Sequence, residues 1–309
     1  MDILIGILEQ GFIYGILALG VYITYSILDF PDLSVDGTFP MGAAVAAILI
    51  MHGVNPWLAL VIAFIAGACA GLVTGLIHVK GKVRDLLSGI ITMTALYSIN
   101  IHIADGKSNL AIFTGETIFN SGIAAMLPEF LQPYRVLIIS FVLIVLCKLL
   151  LDWYLNPKSG FLLFAAGDNQ QVVTALAEDH GKVKIMGLVL ANGLVALSGA
   201  VLCQHQRFFD VSMGPGSVVL GLAAVIMGMK LLGNVSFVKG TTAAIFGAIL
   251  YKACYAGAIA AGMEAVDMKL ITAILFFAVL MLSSGEKGNK PTFIERFKKG
   301  VKKGGKPRA

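Results

Sequence analysis

The chain has 309 residues, 58% of them hydrophobic and only 13% charged, with a formal net charge of +5; its mean hydropathy is +0.87. A water-soluble core of this length cannot hide so much apolar surface, which excludes a soluble globular enzyme and places the chain in a bilayer. Backbone polar groups cannot stand bare in hydrocarbon, so the expected architecture is an all-α integral membrane protein.

Apolar runs lie near 3–28, 38–52, 57–79, 86–104, 134–152, 185–203, 217–232, 238–258 and 266–284. They predict a polytopic bundle of about 8–10 transmembrane helices. No Lys or Arg precedes Lys80 and no small-x-small site follows a basic start, so the first run is expected to stay in place of being cleaved. Gly11 and Gly15, and then Gly67, Gly71 and Gly75, recur four apart on one helix face, a spacing that lets another backbone approach closely. The runs near 38–52 and 217–232 are short and open at Gly/Pro-rich breaks.

Basic residues set the expected orientation. Lys80, Lys82 and Arg84 mark one cytoplasmic loop, Lys158, Lys182 and Lys184 a second, and Lys230 and Lys239 a third. The tail 286–309 carries nine Lys/Arg against two Glu, so the C-terminus is expected in the cytoplasm beside anionic lipid. This short juxtamembrane basic cluster suits phosphate headgroups better than nucleic acid. Loops 105–133, 204–216 and 259–266 carry few basic residues and face outward. The N-terminus would then be outside, unless one run is a re-entrant pair. The chain divides into a transmembrane domain over 1–285 and the basic tail over 286–309.

Residues 32–47, DLSVDGTFPMGAAVAA, and 210–225, DVSMGPGSVVLGLAAV, form a weak repeat. Asp32 matches Asp210, Ser34 matches Ser212, Gly37 matches Gly216, Thr38 matches Ser217 and Gly42 matches Gly221, with one residue inserted in the second copy. The helices that follow run in opposite directions under the orientation above. Paired Gly/Pro-broken segments in corresponding halves point to the central pathway of a transporter; the competing explanation is coincidence between two Gly/Ala-rich stretches. Asp32, Ser34, Asp36, Gly37 and Thr38 of the first segment, and Asp210, Ser212, Gly214 and Gly216 of the second, are the candidate pathway residues. Asp32, next to Pro31, either caps the following helix or serves the pathway with its charge.

Gly167 to Lys184, GDNQQVVTALAEDHGKVK, is a polar stretch in an otherwise apolar chain. Val172, Val173, Leu176 and Ala177 recur at helical spacing, with Asp168 or Asn169 placed to cap the start and Gly181 the end. Such a helix, roughly three turns long, is too short to span a bilayer. It either offers a docking surface to a soluble partner or lies in the membrane interface.

Catalytic patterns are missing. Gly106-Lys107-Ser108 ends like a phosphate-binding loop, but Ile101 stands where its leading glycine belongs. The five histidines show no metal spacing, the four cysteines no CxxC pairing, and no Gly-x-Ser-x-Gly elbow occurs. If ATP drives this machine, another chain hydrolyses it.

On the segments LDFPDLSVDGTFPMGAAVAA and GFLLFAAGDNQQVVTALAEDHGKVKIMGLVLANGLVALSGAVL, with the following SMGPGSVVLGLAAVIMGMKLLGN, the chain resembles the membrane permease of a binding-protein-dependent ABC importer. The superfamily is that of branched-chain amino acid and ribose permeases, and FPDLSVDG is similar to permeases of tryptophan or tyrosine importers. The resemblance implies that Gly167, Asp168 and Asn169 start a coupling helix whose body, Val172, Val173 and Leu176, docks on an ATPase subunit. It also sets Asp32, Ser34, Asp36 and Gly37 beside the pathway. Implied partners are the ATPase, an extracytoplasmic binding lipoprotein, a second permease copy (identical or paralogous) and membrane lipid. The permease needs no cofactor of its own, since ATP and Mg belong to the ATPase, and the location is a bacterial inner or plasma membrane. The expected solute is an amino acid, aromatic by the subfamily likeness. Phe30, Phe39, Phe208 and Phe209 stand close to the broken segments, as pathway lining or as ordinary core. Alternatives are an importer for a nucleoside or sugar, and an ion-driven secondary transporter using Asp32, Asp36 or Glu9.

Overall fold

The computed structural model describes residues 2–113, 115–124, 128–156, 158–168, 179–233, 238–263 and 267–284. Each of the nine apolar runs forms a helix. In chain order these are α1 (Asp2–Val21), α2 (Val35–Met51), α3 (Pro56–Val79), α4 (Asp85–Ile103) and α5 (Arg135–Leu155), then α7 (His180–Gln206), α8 (Ser217–Leu232), α9 (Gly240–Ala260) and α10 (Met268–Ser284). A tenth, α6 (Lys158–Asp168), falls between the runs and was not anticipated. Seven of the described helical segments are long and apolar enough to cross a membrane, while α2 and part of α10 are shorter apolar helices. The protein is multi-pass, as its composition requires.

Local chemistry sets the boundaries. Asn55 accepts a hydrogen bond from Trp57 N at 2.9 Å with Pro56 in the first helical position, which starts α3. Asp179 accepts from Gly181 N at 2.9 Å and Lys182 N at 3.4 Å, which starts α7. This corrects the expectation for Gly181: it lies in the first turn of a spanning helix and ends nothing, because a capping carboxylate two residues upstream decides the boundary. Asp168, expected at the start of a helix, is the last residue of α6. Asn169, Val172, Val173 and Leu176 lie outside the described residues.

Helix α7 is the central post, with 72% of its apolar window buried, and α1, α2 and α3 pack around it. The glycine ladder of α3 lies directly against the α7 backbone. A Cβ on Gly67 would run into the Asn192 carbonyl and one on Gly71 into the Leu188 carbonyl. Gly71→Leu is therefore expected to destabilise the bundle by about 3 kcal/mol or more, since backbone cannot step aside as a side-chain tip can. Gly6 is the control: a Cβ there meets nothing within 4 Å, so Gly6→Leu should leave detergent-solubilised thermal unfolding unchanged. Equal melting temperatures for the two variants would overturn the packing account.

The loop ends sort onto two faces. On one, Asp152 at the end of α5 binds Lys148 Nζ at 2.8 Å, Lys239 Nζ at 3.2 Å and Thr241 Oγ1 at 2.7 Å, fastening α5 to the start of α9. Lys80, Lys82, Arg84, Lys158, Lys182, Lys184 and Lys230 stand at helix ends of this same side. On the opposite side, β1 (Asn109–Ala111) and β2 (Phe208–Asp210) form a short antiparallel ladder with Leu110 opposite Phe209. Gln204 there accepts from Ile118 N at 2.9 Å and donates to Pro56 O at 3.2 Å. This ladder is a small addition to an otherwise helical fold.

Candidate translocation site

The two repeat segments meet inside the bundle. Helix α1 widens after Val21 into a π-helical stretch, Tyr22–Ile27, and the chain then breaks. Asp29 adopts a left-handed φ of 50° and Pro31 lacks the amide that would continue a helix. After the break α2 starts afresh at Val35. In the second copy the ladder strand β2 leads through a short 3₁₀ turn, Val211–Met213, to Gly216 at φ 100° and then α8. A side chain at Gly216 would be strained, so glycine is what lets α8 begin there.

The repeat is a geometric one. Asp32 Oδ1 accepts from Ser34 N at 2.9 Å, and Asp210 Oδ1 accepts from Ser212 N at 2.6 Å. The matched Asp/Ser pairs thus make the same local turn in both halves. Asp210 is also bonded by Asn109 Nδ2 at 3.1 Å. Burial raises its pKa, but the bonds from Ser212 and Asn109 outweigh burial and hold the carboxyl below its ordinary value of 3.8.

The first segment is tied down by a residue that sequence reasoning missed. Asn192, fully buried on α7, donates through Nδ2 to Asp32 Oδ2 at 2.8 Å. Its Oδ1 accepts from Ser34 Oγ at 3.1 Å and Thr38 Oγ1 at 2.8 Å. Both Asp32 oxygens therefore have donors, one of them the amide of Ser34, the N-cap residue of α2. Gly37 sits under α4, where Asn100 Nδ2 donates to its carbonyl at 2.9 Å.

Asp36 does something different. It lies in the first turn of α2, yet its carboxylate reaches across to the other repeat. Gly216 N donates to it at 3.1 Å, Ser217 Oγ at 2.9 Å and Val218 N at 2.8 Å. It caps a helix whose own N-cap, Gly216, has no side chain to offer. The first turn of α2 thus meets the start of α8, whose N-terminal amides are capped by the α2 carboxylate. Gly214 packs against the carbonyl of Asp36 and the ring of Pro40, leaving no room for a Cβ. Beneath the junction a small cavity of about 40 Å³ is lined by Val21, Thr24, Tyr25, Pro31, Asp32 and Val218, among others.

Of the four phenylalanines, Phe30, Phe39 and Phe209 are buried while Phe208 in β2 is half-buried, and Phe30 also lines the small cavity. Phe39 stacks on Tyr14 with ring centroids 6.0 Å apart. The same Tyr14 ring carries a second overlooked residue, Lys252 of α9, whose Nζ stands 3.6 Å from its centroid and 5.0 Å from that of Tyr255. Lys252 is 6% exposed, and among the described residues no carboxylate stands within ion-pair distance of it. A lysine inside an apolar helix is costly unless it has a task, and its place in GAILYKACYAG was the available signal. Gly167, at the end of α6, presses against the carbonyl of Ile27, just where α1 breaks.

A family described as the branched-chain amino acid transport system permease component matches residues 3–283. The chain belongs to this permease family. A tyrosine transport system permease protein of Clostridioides difficile is 44% identical over 280 residues, 91% of each chain. The ribose import permease of Bacillus subtilis is 27% identical over 230 residues, 73% of this chain and 67% of its own. Among solved structures, an inward-facing conformation of an ABC transporter of metal-chelate type aligns with a TM-score of 0.53 at 15% identity, over 89% of this permease and 84% of that chain. At that identity the likeness carries the fold alone. The membership expected from FPDLSVDG and the second-half segments is thereby established, and the permease is the membrane subunit of a transport system.

Proposed function

We propose that this permease is the translocating subunit of an ATP-driven importer for an aromatic amino acid, with tyrosine the leading candidate. The observation that carries the reading is the meeting of two half-helices from opposite repeats at Asp36, within a chain 44% identical to a tyrosine transport permease. Broken helices of this kind present backbone polar groups to a pathway that rigid-body rocking can expose alternately to the two sides. Asp32 and Asp36 are both held by protein donors, which weighs against their use as ion sites in a secondary transporter.

In this reading a lipoprotein delivers solute at the face bearing the β-ladder, and a second copy of the permease completes the pathway. Two ATPase subunits bind the region 167–184 on the basic face of a bacterial inner or plasma membrane. The contact of Gly167 with Ile27 supplies a mechanical route, because displacement of α6 bears directly on the break. Each ATPase state must favour one permease orientation for ATP to do work. The test is co-purification of the permease with its genomic-neighbour ATPase and lipoprotein, followed by thermal shift of the lipoprotein against amino acids, nucleosides and sugars. Stabilisation by tyrosine is expected. A sugar or nucleoside response alone would overturn the solute, and failure to recover an ATPase would overturn the importer.

A further inference from the structure

We propose that Asp36 is a releasable clasp between the two halves of the permease, engaged when the half-helices are apposed and broken when the pathway opens. The proposal rests on the importer reading for its timing and on geometry for its mechanism. Three donors at the start of α8 converge on this carboxylate, two of them the backbone amides of the N-cap Gly216 and of Val218. Asp36 belongs to α2, which Asn192, Asn100 and Asp32 hold to α7 and α4. The clasp therefore joins the fixed half-helix to the other repeat across a boundary otherwise made of small, apolar contacts such as Gly221 against Val21.

The asymmetry between the repeats argues for release. Asp32 is held by Ser34 N and Asn192, and Asp210 by Ser212 N and Asn109, none of which reaches from one repeat segment to the other. Only Asp36 bonds between segments, and α8 has no side-chain N-cap of its own to keep its amides satisfied by default. Parting the halves exposes those amides and the carboxylate together. Both are groups that water solvates well, so opening is accessible where the pathway is wet and opposed where it is dry. A positioning residue with that property makes the junction two-state and not continuously deformable.

The test uses the full-length permease with Cys69, Cys147, Cys203 and Cys254 replaced. Ser217→Cys places a thiol at a position that is 5% exposed while keeping the two backbone bonds of the clasp. Maleimide labelling of this thiol should be slow, and Asp36→Asn should quicken it on the order of tenfold, the factor expected for losing a charge-assisted bond. In the complex with its ATPase, vanadate trapping should change the labelling rate of the Asp36 form and leave the Asp36→Asn form unchanged. A purely structural role would lower thermal stability without this nucleotide dependence. In the paired variant Asp36→Cys/Ser217→Cys, with cross-linking confirmed by loss of free thiol, oxidation with copper phenanthroline should lower tyrosine uptake well below that of the same variant kept reduced. Undiminished uptake by the oxidised pair, or labelling indifferent to both Asp36 and nucleotide, overturns the clasp. Labelling of the permease alone decides the Asp36 effect even where no ATPase is recovered, which separates failure of the clasp from failure of the importer reading.

Discussion

Asn192→Leu is expected to destabilise the permease by on the order of 3 kcal/mol, because it strips one of the two donors from a buried carboxylate. Asn192 Nδ2 reaches Asp32 Oδ2 at 2.8 Å, and its Oδ1 takes the hydroxyls of Ser34 and Thr38. Leucine fills the volume but leaves Asp32 Oδ2, on a residue only 5% exposed, without its hydrogen-bond donor. A melting temperature lower by roughly 6–10 °C is expected for a chain of this size. Adding Asp32→Asn should recover much of the loss, since the charge is then gone and Ser34 N still finds an amide oxygen. That recovery is what distinguishes the bridge from general core packing. An unchanged melting temperature for Asn192→Leu would refute the account.

Leu176→Asp is expected to sever transport from ATP hydrolysis. Leu176 is the most apolar residue in the body of the proposed coupling helix. A carboxylate pressed into an apolar ATPase groove costs more than the roughly 1.4 kcal/mol that a factor of ten represents. Tyrosine uptake in reconstituted vesicles should fall by about tenfold or more, while the variant inserts, keeps its melting temperature and leaves the ATPase able to hydrolyse ATP. Normal uptake would remove 167–184 from the coupling mechanism.

How much of the permease was readable in advance follows from which interactions are local. Bilayer burial acts on each stretch separately, so the nine apolar runs translate into nine helices, and more of the loop lysines and arginines stand at one end of the bundle than at the other. Helix α6 escaped because its polar flanks diluted the apolar signal, and Gly181 misled because glycine marks a helix end only where no cap decides otherwise. The Asp/Ser pairs of the repeat were legible, since an aspartate accepting an amide two residues on needs no other part of the chain. Gly67 and Gly71 announced a close approach without saying to what.

The identity of the partners needed the tertiary fold. Asn192 lies 160 positions from Asp32 and Asp36 lies 182 from Val218, and no local pattern distinguishes an asparagine that bridges a break from one that merely sits in a helix. Lys252 likewise read as one polar residue in an apolar run until Tyr14 was brought beneath it. The sequence by itself determined a multi-pass helical permease with two broken segments, because hydrophobicity, helix termination and charge bias are properties of short stretches. Only the tertiary structure decided that those segments meet at one carboxylate, because that depends on which buried polar groups the packing of α2, α7 and α8 brings within reach of each other.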